Sequence, residues 1–184
     1  MDKRSILTVS GSMLMALVVA AGFAPGDDDK QRADAIAKAS ISLSEAVTRA
    51  EAKTGGKALE AELEVEKDQA FFEVEVLKDG VEIEVKVDAK SGEVVSTEEE
   101  KDKKPSKEAE ALKTATVTLA GAIVQAEAAT GGRAVEAELE VKKDAAVIEV
   151  EVLKDGAEIE VKIDPVSGKV IKMEKEEEDK EDRK

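Results

Sequence analysis

The sequence predicts an α+β protein of two tandem modules, each one helix packed on a three- to four-stranded antiparallel meander. Three observations predict it. Residues 41–97 align with residues 117–173 without a gap, and 35 of the 57 positions are identical, so each copy is a structural unit. Within each copy the apolar period changes from 3.6 to 2, the change from an amphipathic helix to half-buried strands. Between the apolar runs stand `KDG`, `DAKSG` and `DPVSG`, which carry hairpin and turn chemistry.

The elements follow in chain order. Lys3 and Arg4 precede the apolar run `ILTVSGSMLMALVVAAGFA`, which has the layout of an export signal: basic start, apolar centre, small-residue exit. Cleavage after Ala24 sets Gly22 and Ala24 at the recognition positions, and cleavage near Ala21 fits as well. A retained anchor is the alternative reading for residues 1–24. Residues 25–36 read as a flexible lead. The first module, 37–97, opens with a helix. Ser42 and Glu45 have capping-box spacing. Leu43, Ala46, Val47 and Ala50 form one apolar face, and Gly55 or Gly56 ends the helix. The second module, 113–173, repeats the face with Leu119, Ala122, Ile123 and Ala126 and the stop with Gly131 and Gly132. There Gly121 replaces the capping glutamate, so Thr118 caps alone.

Strands follow each helix. Leu59, Ala61, Leu63 and Val65 alternate with glutamates, as do Phe72, Val74 and Val76, and then Val81, Ile83, Val85 and Val87. Val94 and Val95 supply a short last strand. The second copy repeats the order at 135–141, 148–152, 157–163 and 170–171. Such alternation gives each meander one apolar and one charged face. The helix is expected to cover the apolar face and the charged face to stay wet. Residues 98–112 read as a charged linker that transmits few contacts, so the modules are expected to fold separately. Residues 174–184 read as an acidic disordered tail.

Composition excludes several function classes. The 184 residues carry a formal net charge of −15, with no histidine, cysteine, tryptophan or tyrosine. Serine or cysteine nucleophile constellations that rely on histidine are therefore impossible, and the common zinc ligand sets are missing. No phosphate-binding loop occurs, and no cofactor is expected. An acid-rich chain is a poor partner for nucleic acid or anionic lipid, and membrane contact is expected only if residues 1–24 are retained. Asp88 and Asp164, which begin the two `D…SG` loops, read as turn formers rather than calcium ligands. The glutamates on the strands concentrate charge on one face, where like neighbours cost stability. Glu73, Glu75, Glu82 and Glu84, with Glu149, Glu151, Glu158 and Glu160, are the candidate contacts for a cationic partner.

The helix `SLSEAVTRAEAKTGG`, the strand `FFEVEVLKDG` and the block `VEIEVKVDAKSGEVV`, with their second copies, resemble the PepSY domain family. The family's valine, aspartate, glycine and valine run falls on Val87, Asp88, Gly92 and Val94, and on Ile163, Asp164, Gly168 and Val170. The resemblance implies small extracytoplasmic α+β modules with no catalytic set, and a role in inhibiting or regulating peptidases. No peptidase domain accompanies the two copies, so such a role implies action in trans. The expectation is a secreted or periplasmic, non-enzymatic binding module for an exported protein such as a peptidase. An acidic cation-binding or envelope-surface structural protein, with weak affinity for divalent cations, is the alternative.

Overall fold

Local sequence sets the ends of each helix. In α2 (Leu43–Thr54) the Ser42 hydroxyl accepts from the Glu45 amide at 3.2 Å, and Glu45 Oε2 accepts from the Ser42 amide at 2.8 Å. This reciprocal box satisfies two of the orphan donors of the first turn. In α4 (Leu119–Thr130) only one half survives: Thr118 Oγ1 accepts from the Gly121 amide at 3.1 Å. Gly55 and Gly131 end the helices at φ of 78° and 74°. The second glycine of each pair serves a different need. A Cβ at Gly56 would lie 2.6 Å from the Leu77 carbonyl oxygen, and one at Gly132 2.5 Å from that of Leu153. The pair thus combines a left-handed stop with a close backbone crossing.

A computed structural model describes residues 27–67, 69–100, 106–143 and 145–175. The segment read as an export signal lies outside the described residues, as do residues 176–184 of the segment read as a disordered tail; its first two residues, Glu174 and Lys175, are strand instead. The first copy forms β1 (Lys57–Glu66), β2 (Gln69–Lys78), β3 (Val81–Asp88) and β4 (Val94–Glu100). The second forms β5 (Arg133–Lys142), β6 (Ala145–Lys154), β7 (Ala157–Ile163) and β8 (Val170–Lys175). Each is the expected antiparallel meander. Two further helices, α1 (Asp27–Lys38) and α3 (Lys107–Thr114), precede α2 and α4. The segment read as a flexible lead is therefore helical from Asp27. Most of the segment read as linker belongs to β4 and α3, with residues 101–105 outside the described set.

The two meanders are one sheet. Its strand order is β4-β3-β2-β1-β5-β6-β7-β8, joined by antiparallel pairing of β1 with β5. At the joint Ala61 faces Ala137, flanked by Glu60 opposite Glu138 and Glu62 opposite Glu136. On the apolar side α2 and α4 lie next to each other, and each reaches the central strand of the other copy. Alanine at 61 and 137, both fully buried, keeps the floor low beneath them. The apolar side chains of both copies form one contiguous core, with Phe72, Val74 and Val85 joined to Ile123, Ile148 and Val150. Burying each such side chain stabilises the fold by about 1.5–3 kcal/mol.

Two expectations are corrected here. The copies do not meet only through a tether: they share hydrogen bonds, helices and core. The charged face is not simply wet either. Helix α1 contacts β1, β2 and β5, and α3 contacts β5 and β1. Arg32 of α1 reaches Glu136, Glu151 and Glu158 on the carboxylate side. Short amphipathic helices bury part of that face because Ala35, Ile36 and Ala109 can leave water there.

Replacing Ala137 by Leu tests the joint. The added bulk beneath α2 and α4 should destabilise the chain by about 1–3 kcal/mol. Amide exchange should accelerate across both 43–97 and 119–173, whereas separate modules would confine the effect to the second copy.

Candidate functional site

The register across eight strands aligns the carboxylates more closely than either copy alone suggests. One row runs Ser96, Lys86, Glu73, Glu62, Glu136, Glu151, Glu160 and Glu174. The row beside it runs Glu98, Glu84, Glu75, Glu60, Glu138, Glu149, Lys162 and Lys172. An offset of 76 converts one row into the other, with the β1–β5 joint at the centre. Six of the eight candidate residues lie in these rows. Glu82 and Glu158 stand in the next position, opposite Leu77 and Leu153. Seven of the eight are half-buried and Glu82 is buried, so they form a partly covered seam rather than an open ladder.

Like charges on facing strands repel, and the chain meets this with a few fixed cations. Arg32 Nη2 lies 3.5 Å from Glu136 and 3.7 Å from Glu151, and its Nη1 lies 3.7 Å from Glu158. Lys86 Nζ lies 2.6 Å from Glu66, 3.3 Å from Glu64 and 3.4 Å from Glu73. Lys162 Nζ lies 2.7 Å from Glu149 and 3.0 Å from Glu160. Glu66 and Glu64 hold the Lys86 ammonium in its charged form against the opposing effect of its burial.

The carboxyl groups respond according to their surroundings. Burial, with Arg32 opposing it and Glu62, Glu138 and Glu60 adding repulsion, pushes Glu136 up to about 7. Burial raises Glu62 and Glu138 as well. Glu73 and Glu149 occupy equivalent places yet move in opposite directions. Burial and the charges of Glu64 and Glu84 push Glu73 up to about 7. At Glu149 burial is outweighed by a hydrogen bond with Glu160 and by Lys162 and Lys142, which bring it down to about 2. Glu160, bonded to Glu149, is raised. The Glu149–Glu160 hydrogen bond leads this contrast, and one inversion between the copies adds to it: Glu66 of the first is Lys142 of the second. Glu66 draws Lys86 toward itself, whereas Lys142 pairs with Glu140 and approaches Glu149 to 3.5 Å.

Two triads follow from this packing. Carboxylate oxygens of Glu62, Glu64 and Glu73 lie within 4.8 Å of one another, as do those of Glu138, Glu140 and Glu149. Oxygen-only triads suit hard divalent cations. Here lysine ammonium groups already occupy the flanks of both. The loop aspartates act otherwise. Asp88 Oδ1 accepts from the amides of Lys90 and Ser91 and from the Ser91 hydroxyl, and Asp164 Oδ1 accepts from the amides of Val166 and Ser167. Both are turn formers, and these bonds lower both carboxyl groups. A groove of about 740 Å³ between α1 and the end of the first module mixes Lys30, Lys38 and Lys90 with Asp34 and Asp88. Its signs alternate and no donor set converges in it.

Two arginines that sequence reasoning passed over prove structural. Arg133 Nη1 donates to the carbonyls of Ile36 at 2.8 Å and Ala39 at 3.2 Å, and Nη2 to that of Ile41 at 2.9 Å. It thereby closes the C-terminal end of α1, where free carbonyls and the helix dipole favour a cation. Arg49 donates to the Gly92 carbonyl at 3.2 Å. With Arg32 these are the three arginines among the described residues, and each makes a long-range contact. The choice of Arg over the otherwise prevalent Lys was the available signal, since the guanidinium can serve several acceptors in fixed geometry.

Two predictions follow from these charges. Glu136 has an ordinary value of 4.5 and a folded one near 7. As pH rises from 4.5 to 7 the unfolded chain releases this proton first, so stability falls through that window. Glu149, lowered to about 2, stabilises the fold above 4.5 and loses that contribution as pH falls toward 2. Urea midpoints should therefore peak near pH 5. Glu136→Gln should reduce the decline toward pH 8 by about 1–2 kcal/mol after allowance for screening, and an unchanged decline would contradict this assignment. Separately, Glu66→Lys should lower the Glu73 carboxyl from its raised value. A carboxyl carbon-13 NMR titration reads this directly.

Comparison with known proteins agrees with the repeat. The family described as Peptidase propeptide and YPEB domain, PepSY, matches residues 40–98 and 108–174. No curated protein matches the sequence. Among solved structures, a candidate lipoprotein from Clostridium difficile 630 is similar at 23% identity and a TM-score of 0.46, over 75% of this chain and 95% of that one. A DUF2874 family protein from Bacteroides uniformis ATCC 8492 is similar at 14% identity and a TM-score of 0.27, over 71% and 87%. A candidate periplasmic protein from Bacteroides eggerthii DSM 20697 is similar at 13% identity and a TM-score of 0.26, over 74% and 90%. The family match covers more than half of the chain and falls on both repeats, so the chain belongs to the PepSY family and carries two copies of its non-catalytic module.

Proposed function

We propose that this chain is an exported binding module that captures a protein partner in trans, with an exported peptidase as the partner class the family favours. The observation that carries the reading is the double PepSY match in a chain that contains no histidine or cysteine. Export rests on the basic, apolar and small-residue order of residues 1–24. Among the described residues no helix is long and apolar enough to cross a membrane. Binding needs no reacting group. The end strands β4 and β8 offer backbone groups to a partner's strand, and the carboxylate seam favours basic residues beside it. Because the copies share one sheet, their two edges are presented on one body rather than on a flexible tether.

Glu73, Glu75 and Glu84 are the accessible members of the first-copy candidates, and Glu149, Glu151 and Glu160 are their counterparts. Glu82 is buried and contributes through the field rather than through contact. A divalent-cation reading has one observation in its favour, the recurrence of the carboxylate triad in both copies.

Affinity capture from an extracytoplasmic fraction, with and without calcium, separates these readings. A partner retained in chelator supports protein capture. Calcium binding by the isolated chain with no retained protein would support the cation reading instead. Once a partner is in hand, Glu73→Gln, Glu75→Gln and Glu84→Gln together should weaken association about tenfold at low salt and flatten its salt dependence. Unchanged affinity in a folded triple variant would remove the seam from recognition.

A further inference from the structure

The two ends of the sheet are not equivalent, and the difference selects an occupant for one of them. Every residue of β8 is exposed, including Val170 at 39%, Ile171 at 60% and Met173 at 45%. Met173 stands opposite the buried Val161, which puts it on the helix side of the sheet. Lys172 and Glu174 stand opposite Lys162 and Glu160 on the carboxylate side, and they pair with each other within the strand. The equivalent positions of β4 are Ser96, Thr97 and Glu98. That edge has neither the methionine nor the lysine, and continues into Glu99 and Glu100.

We propose that β8 pairs antiparallel with β8 of a second copy of this chain, about a two-fold axis at Met173. In this register Met173 faces Met173, and Lys172 faces Glu174 twice. Opposite charges on facing strands attract, and like charges there repel. Slipping the register by two residues sets Lys172 against Lys172 in one direction or Glu174 against Glu174 in the other. Slipping by one turns the partner over and sends its apolar side to the wrong face. Charge complementarity thus singles out one register, and a two-fold contact closes on itself. The same operation on β4 gains no charge pair, because Ser96 would face Glu98. The interface adds backbone bonds and covers Met173, while the net charge of −15 per chain opposes it. A reversible, concentration-dependent dimer results, independent of any exported partner.

The chain has no cysteine, which makes a test direct. Facing residues of an antiparallel pair have Cα atoms about 4.5–5.5 Å apart, within disulfide reach. In the full-length chain, Met173→Cys should give a disulfide-linked dimer under mild oxidation, and Thr97→Cys, at the equivalent exposed place on β4, should not. Sedimentation of the cysteine-free chain should show Lys172→Glu weakening the dimer at least tenfold. Lys172→Glu with Glu174→Lys should restore it, since the swapped charges still face opposite partners. Circular dichroism checks that each variant is folded. Equal cross-linking at both positions, equal association of the single and double charge variants, or open-ended assembly through β4 and β8 would each overturn the proposal.

Discussion

The pairing of β1 with β5 is the contact on which the rest of the structure depends. It is short, and its two sides have opposite energetics. On the helix side Ala61 and Ala137 meet at full burial, and their small size lets α2 and α4 close over the joint. On the other side Glu60 faces Glu138 and Glu62 faces Glu136. The joint forms because apolar burial, backbone hydrogen bonds and the Arg32 guanidinium together outweigh the carboxylate repulsion. It also turns two small units into one larger core, and a larger core buries a greater fraction of its surface on folding.

The charged face is best understood as a consequence of that joint. Alternation places glutamates on one side of β1 to β3 and of β5 to β7, and the joint continues their rows from one copy into the other. Near the centre water is partly displaced by α1 and α3, so carboxyl groups such as Glu136 are held near neutrality in pKa. Farther out, Lys86 ends one carboxylate row in the first copy, and Lys162 ends the other row in the second. The copies are not electrostatic duplicates. Exchange of Glu66 for Lys142 alters the balance around Glu73 and Glu149 in opposite senses, while the backbone register stays the same. Duplication has thus kept the fold and let the charge chemistry of the two halves diverge.

The proposed binding relies on edges and surface charge rather than on an enclosed site. The described groove has mixed charges, and the carboxylate triads are flanked by lysines. The two sheet ends are the surfaces where strand backbone groups meet solvent, and the two copies differ there. The last strand of the first copy becomes acidic, whereas that of the second gains Lys172, Met173 and Lys175. A rigid sheet with unlike ends can engage unlike neighbours.

The sequence by itself determined the repeat, the helix caps, the hairpin positions and the antiparallel meander of each copy. These depend on neighbours a few residues apart: Ser42 with Glu45, Gly55 after Thr54, Asp79 before Gly80, and glutamate every second residue. It also excluded histidine- and cysteine-based chemistry outright. The candidate carboxylates were legible as one face of each copy, but their burial was not. Only the tertiary structure decided that the copies share a sheet, that Glu62 faces Glu136, and that Arg32 and Arg133 bind groups in the other copy. Residues 32 and 136, or 36 and 133, are separated by about a hundred positions, and no local periodicity encodes their approach. That approach depends on where two apolar faces find a common floor, a property of packed surfaces rather than of any segment read alone.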